Sequence, residues 1–471
     1  MSREIRADYQ QLLMFPPSLE EWVGPEHPAR FIRDFVDSLD LPSLGFRERT
    51  AQEGRPPYST EMLLKVWLYG YLNRIRSTRL LERGCRENLG LIWLTGLNSP
   101  DHNTLWRFWR DNREALRQVF KQSVKVALHA GLLGLALHAV DGTKIKAASA
   151  RRGMWHRPDL EKLLAKLDAS LAEAMAEVEA AQDREQGEYR LPEELQDQEV
   201  RRQRIVDALQ ALADADRDHL HPKEPEARMM KVGPAVEPAY NAQAVADGTS
   251  KMLVACEVVN EEADTQQLVP MLDQAKENLG ATAAENLADG GYASAAQIGL
   301  AEERRYEVLT AAGKREPTSP EDRPYHTSRF FYDEERDCCI CPQGQVLTYE
   351  RTKASRGKAS AVRIYRCRSR DCPVRGKCTR DRQGRQVEIG PHHQAMVRQR
   401  QKRQEKGSLL RLRKVIAEPP FAWIKRHLDF WRWTVKGLEN VRTQWALLCT
   451  TVNLKKLFRY WQTGRLVLAS G

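Results

Sequence analysis

A chain of 471 residues, with 74 Lys and Arg against 64 Asp and Glu, is long enough for two to four domains. Its formal charge of +10 and isoelectric point near 9.1 favour a polyanionic partner. No apolar run approaches the roughly 20 residues of a membrane span, and residues 1–6 lead into no signal-peptide core. A cytoplasmic protein without structural disulfides and without a membrane partner is therefore expected.

Residues 1–130 read as a helical domain. Glu61–Leu72 carries apolar positions at helical spacing, with Ser59 and Thr60 as N-cap candidates, and Thr78–Asn88 is a second amphipathic stretch. Ser99-Pro100-Asp101 opens a third helix bearing Trp106, Arg107, Phe108, Trp109 and Arg110. Short helices ending in a basic, aromatic one suit a helix-turn-helix-like DNA-binding unit, with Arg107 and Arg110 as phosphate contacts. They also suit a plain bundle that buries Trp106, Phe108 and Trp109.

Leu135–Val140 is an apolar run that stops at Asp141-Gly142-Thr143, and 131–150 reads as the start of an α/β core. Residues 151–235 interrupt it as a helical hairpin. Leu160, Leu163, Leu164 and Leu167 form one face, Gln186–Pro192 the break, and Ile205, Leu209 and Leu212 the second face. The core resumes over 236–312. Strands Tyr240–Ala246 and Met252–Val259 flank an Asp247-Gly248 turn, and a helix spans Asp264–Leu279. A strand at Glu285–Ala288 leads to Asp289-Gly290-Gly291-Tyr292, then come a helix over Ala296–Arg304 and a strand over Tyr306–Thr310. Strand, strand, strand, helix, strand, helix, strand is the ribonuclease H-like order, and it sets Asp141 and Asp289 at the ends of adjacent strands. A lone Asp-Gly is ordinarily a turn. Two strand-end carboxylates with a third on a late helix, however, suit two hard divalent ions about 4 Å apart.

Six of the nine cysteines fall within residues 338–378, inside a segment read as an insertion over 313–395. Cys341, Cys367, Cys372 and Cys378 suit a closed, structural Zn²⁺ site, with Cys338 or Cys339 able to replace one of them. Free thiols or redox sensing are the alternatives. Cys85, Cys256 and Cys449 sit in apolar settings as small hydrophobes. The last part, 396–471, is helical and opens with a dense basic run in which Lys414 precedes Glu418 and Lys425 follows it. That run reads as a phosphate-contacting surface, Lys414 and Lys425 included. Trp431 and Trp433 follow, for base stacking or for core packing.

Several of these segments carry a resemblance: Phe15–Leu19, His27–Asp40, Gly54–Tyr58, Leu68–Leu72, Trp93–Gly96, Val140–Ile145 and Ala288–Tyr292. Together they resemble the DDE transposases of bacterial insertion sequences, of the group with a Tyr-Arg-Glu-Lys signature, over nearly the whole chain. The chain departs from the signature at Arg411 and Lys414, where the family has Tyr and Arg; Glu418 and Lys425 fit it. The resemblance implies an α/β chain with a ribonuclease H-like core, and Asp141, Asp289 and Glu418 binding two Mg²⁺ or Mn²⁺ ions. It further implies Lys425 at a phosphate near the scissile bond, and an insertion that helps to grip DNA. The partners it implies are the terminal inverted repeats and target DNA, bound by a homodimer. Two other readings stay open: a decayed transposase that only binds DNA, and a ribonuclease H-like nuclease or resolvase.

Overall fold

The computed structural model describes residues 18–47, 56–182, 193–313, 316–317, 321–354 and 361–468, with the side chains of 177–182 and 193–196 left aside. Phe15–Pro17, Gly54-Arg55 and the Gln186–Pro192 break lie outside the described residues. The chain divides into two units, one of Met1–Ala130, Arg426–Phe430 and Arg442–Gly471, the other of Gly131–Lys425 and Trp431–Val441. The helical stretch 396–471 is shared between them.

The first unit is helical: α1 (Pro28–Asp37), α2 (Thr60–Leu72), α3 (Thr78–Glu87), α4 (Leu89–Thr95), α5 (His102–Asp111) and α6 (Arg113–His129). Short polar side chains start three of them by taking up backbone N–H groups that lack a helical partner. Ser59 Oγ accepts from Met62 N at 3.2 Å, Asn88 Oδ1 from Leu91 N at 3.1 Å and Asp101 Oδ1 from Thr104 N at 2.7 Å. Trp67 and Trp109 meet at 4.8 Å between ring centroids in the core. The chain's last helix, Leu438–Gln462, joins this unit from Arg442 on, and Phe458 lies 5.5 Å from Phe31. Of the aromatic trio on α5, Phe108 and Trp109 are buried and Trp106 is exposed, beside exposed Arg107 and Arg110.

The second unit begins with β1 (Leu137–Lys146). The helical hairpin follows, with β2 (Trp155–His156), α7 (Arg157–Gln182), α8 (Glu193–Asp214) and β3 (His219–Leu220). Leu160, Leu167, Ile205, Ala208 and Leu212 form its own small core, and β2 pairs β3 at its base. Next come β4 (Arg228–Val232), β5 (Ala235–Asp247), β6 (Leu253–Val259), α9 (Leu268–Leu279), β7 (Glu285–Ala288), α10 (Ala295–Glu303) and β8 (Val308–Thr310). β1 is antiparallel to β5 and parallel to β7, which is parallel to β8; β6 and β4 pair antiparallel with β5. Asp141 is not at a strand end. The β5 ladder carries β1 through Asp141-Gly142-Thr143 as far as the Lys146–Ala239 pair. Gly142 serves close approach there rather than a turn, since a Cβ on it would stand 2.3 Å from Gln243 Nε2.

A second sheet of five antiparallel strands fills the cysteine-bearing segment. Its strands are β9 (Phe331–Asp333), β10 (Cys338–Ile340), β11 (Val346–Ala354), β12 (Ala361–Arg366) and β13 (Gln386–Ile389), with the single-turn α11 (Arg375–Cys378) between the last two. Its core is small: Phe330, Cys339, Leu347, Tyr365, Val387 and Ile389. α12 (His393–Lys406) and α13 (Leu410–Arg426) follow, and α13 contains Pro419 and Pro420 immediately after Glu418.

Candidate active site

The parallel register of β1 with β7 pairs Ala139 with Leu287. Asp141 stands two residues further along β1, and Asp289 directly follows the end of β7, near enough for its charge to act on Asp141. Burial raises the Asp141 pKa above the usual carboxylate value. The Arg413 guanidinium and the Gly142 N–H oppose this, and the charge of Asp289 adds to it. Arg413 of α13 donates to Asp141 Oδ2 at 2.9 Å, and Gly142 N donates to Oδ1 at 2.9 Å. Asp289 Oδ1 accepts from Gly291 N at 2.7 Å.

Alternation along β1 turns Asp141 and Thr143 to one face and Gly142 and Lys144 to the other. Lys425 of α13 donates to Thr143 Oγ1 at 2.6 Å and stands 6.0 Å from the Trp431 ring centroid. Burial lowers its pKa, against the pull of Asp141. Glu418 sits between Arg413 and Lys425 on α13, exposed and without a hydrogen bond or ion pair among the described residues. Also exposed is Lys414, while Trp433 is buried and Trp431 is not.

Behind the carboxylates lies a polar network that sequence reasoning missed. Asp264 Oδ1 accepts from Asn241 Nδ2 at 2.7 Å, Gln243 Nε2 at 2.8 Å and Lys144 Nζ at 3.1 Å. Tyr292, fully buried, donates its hydroxyl to Gln243 Oε1. Tyr292 thereby anchors the loop that carries Asp289 to the sheet. Close packing also explains the two glycines of that loop. A Cβ on Gly290 would stand 2.2 Å from Ala312 O, and one on Gly291 2.9 Å from Asp289 Oδ1 and 3.5 Å from Asp264 Oδ2. Asp264 therefore lies within reach of the Asp289 loop. It also precedes α9, which starts at Leu268 and not at Asp264 as the periodicity predicts. The side chain of Asp264 is held by the sheet instead.

Asp141 and Asp289, partly withdrawn from water, are hard oxygen donors of the kind divalent cations take, and Glu418 stands on the helix that reaches β1 through Arg413 and Lys425. Among the described residues no group of three or more His, Cys, Asp or Glu is arranged to hold a metal ion, and Arg413 meets the charge of Asp141. In the second sheet, Cys341, Cys367, Cys372 and Cys378 line one cavity of about 30 Å³. Burial pushes the Cys378 thiol pKa up; Arg385 opposes this, and the other three cysteines add to it. Cys338 and Cys339 are buried in β10.

Residues 340–458 match the family model of a transposase DDE domain, and residues 17–111 that of a transposase domain (DUF772). These two matches support a DDE transposase of an insertion sequence. The first contains Glu418, Lys425 and the four cysteines, and the second contains Arg107 and Arg110; Asp141 and Asp289 lie in neither. No curated protein matches the chain.

Proposed function

We propose that the chain binds the ends of an insertion sequence and cuts and joins DNA strands, using Asp141, Asp289 and Glu418 as its acidic triad. The observation that carries this reading is the closeness of the two aspartates: Asp141 lies in β1, Asp289 directly follows the parallel neighbour β7, and the charge of Asp289 acts on Asp141, while α13 reaches β1 through Arg413 and Lys425. The strand order β6-β5-β1-β7-β8, with β5 the antiparallel member between β6 and β1, supports a ribonuclease H-like core. Two Mg²⁺ or Mn²⁺ ions held by the triad would activate the attacking oxygen and steady the leaving one.

The protein's own groups set the stage for that chemistry. The N–H groups of Gly142 and Gly291 each hold one oxygen of an aspartate, which fixes the carboxylate planes. Arg413, now on Asp141, is a cation that moves to a DNA phosphate when the carboxylate is taken up by metal. Lys425, held at Thr143, presents a second cation beside the same strand. Arg107 and Arg110, exposed on α5, contact the backbone of the element's ends, and a dimer brings two ends together.

The test uses DNA carrying the inverted repeats that border the gene, with Mg²⁺ present. The expected result is cleavage and strand joining by the wild type. Asp289→Ala should lose both while retaining end-binding, and Arg107→Ala with Arg110→Ala should lose binding first. Cleavage without any joining would favour a nuclease or resolvase. Binding with neither reaction, under conditions where Asp289→Ala changes nothing, would favour a protein that only binds DNA.

A further inference from the structure

The second sheet has a feature that strand cleavage does not use. Four thiols from three separate segments converge on a single small cavity. Cys341 lies in the turn after β10, Cys367 directly follows β12, Cys372 precedes α11 and Cys378 is its last residue. The turn at Cys341 is tightly built: its N–H donates to Gln345 O at 2.9 Å, and the N–H groups of Gln343 and Gln345 both point at its sulfur, 3.3 Å away. These two N–H groups fix the sulfur's place in the turn. Cys372 O accepts from Arg375 N at 3.0 Å, and Cys367 N donates to Arg385 O at 2.9 Å, so backbone bonds also fix the other segments. Arg375 and Arg385 line the same cavity and set positive charge beside the sulfurs.

We propose that Cys341, Cys367, Cys372 and Cys378 form a structural zinc site that holds the second sheet together. Four soft donors at turns suit tetrahedral Zn²⁺ better than any hard cation. The need is physical. Six buried residues are a small core for five strands, and most of β11 is exposed, so the fold gains from a cross-link that burial does not provide. The neighbouring cysteines are spoken for. Cys339 is part of the sheet core, and Cys338 is buried next to it on the same strand. Binding draws the four sulfurs in to about 2.3 Å from the ion, a closer grouping than their side chains show here. Each thiol that becomes a ligand releases its proton to the buffer, up to four per ion.

The experiment measures metal in the full-length protein purified from zinc-supplemented medium, then replaces zinc by Co²⁺ and records the visible spectrum. About one zinc ion per chain is expected, with the intense sulfur-to-cobalt absorption of a tetrahedral thiolate site. Counting thiols under native conditions should show four that react only after a chelator is added. Cys372→Ser and Cys341→Ser should lose the zinc, whereas Cys338→Ser should keep it. Because a variant that fails to fold would lose metal trivially, the wild-type cobalt spectrum and thiol count stand as the independent readout. A wild-type chain with no zinc, no thiolate–cobalt band and all four thiols freely reactive overturns the proposal. So does finding the four joined in disulfides, or zinc kept by Cys372→Ser and lost by Cys338→Ser.

Discussion

α12 and α13 follow one another with similar basic composition, and the fold puts them to opposite uses. Five cations of α12 end on acidic side chains of their own unit: Arg398 on Glu302, Arg400 and Arg403 on Glu316, Lys402 on Glu307, and Lys406 on Glu285. α13 instead sends Arg413 to Asp141 and Lys425 to Thr143, and its exposed Arg411 and Lys414 form no ion pair among the described residues. A basic run expected to be one phosphate surface is therefore two things. Its first half mainly fastens a helix to the core, and its second half keeps charge to spare. What separates them is not composition but which residues the fold brings opposite.

The sharpest way to break that contrast is to change the acid on α13. If the proposed triad holds, Glu418→Gln should lower strand cleavage by about 10³-fold or more, with end-binding near the wild-type value, because a metal ligand adds several kcal/mol to transition-state stabilisation and attracts no phosphate. Single-turnover cleavage and gel-shift measurements on the same preparation decide it; normal cleavage would put the third ligand elsewhere.

A change on the α12 side should show in stability instead. Glu316, with its side chain 13% exposed, accepts from Arg400 at 2.9 Å and Arg403 at 2.6 Å. Burial alone would raise its pKa, but the two arginines outweigh that and leave it below the ordinary value. A carboxylate with a depressed folded pKa contributes stability above its unfolded pKa and loses it as pH falls through the folded one. Glu316→Gln should therefore cost about 2–3 kcal/mol at pH 7, and the gap in unfolding free energy should close below about pH 4. Denaturant titrations across that range test both the size and the sign.

Smaller effects separate the two helices directly. Arg411→Ala and Lys414→Ala should each weaken DNA binding several-fold, by about 1 kcal/mol, and each lower the salt slope by about one. Lys402→Ala on α12 should leave both quantities within error. Equal losses from the two helices would mean that the α12 ion pairs open when DNA binds.

The parts of this arrangement that show in the sequence are the local ones. Ser59 and Asp101 announce helix starts because a cap acts over three residues, and Glu285–Ala288 is read as a strand that stops at Asp289 and two glycines. Gly142 misleads, since the reason for it is the Gln243 side chain on another strand and no turn is present. Asp264 escapes notice for the same reason: its partners Lys144, Asn241 and Gln243 lie on β1 and β5, and no local pattern marks it as held. The five-stranded sheet is hidden because most of its strands are short and the longest, β11, is mostly exposed, with little apolar alternation to read. The α12 ion pairs reach acids 84 to 121 residues away in the chain, beyond any window of composition.

Pro419 and Pro420 have a mechanical consequence for the acid that precedes them. Neither can donate a backbone N–H, so the carbonyls of Val415 and Ile416 lose the bonds that would close their turns, and the proline rings crowd the same stretch. α13 is thus a jointed rod rather than a stiff one, its weakest section lying at Glu418. The segment bearing Arg413 and the segment bearing Lys425 meet at this joint. Bending there moves Glu418 at less cost than in an unbroken helix, while Arg413 and Lys425 stay bonded to β1.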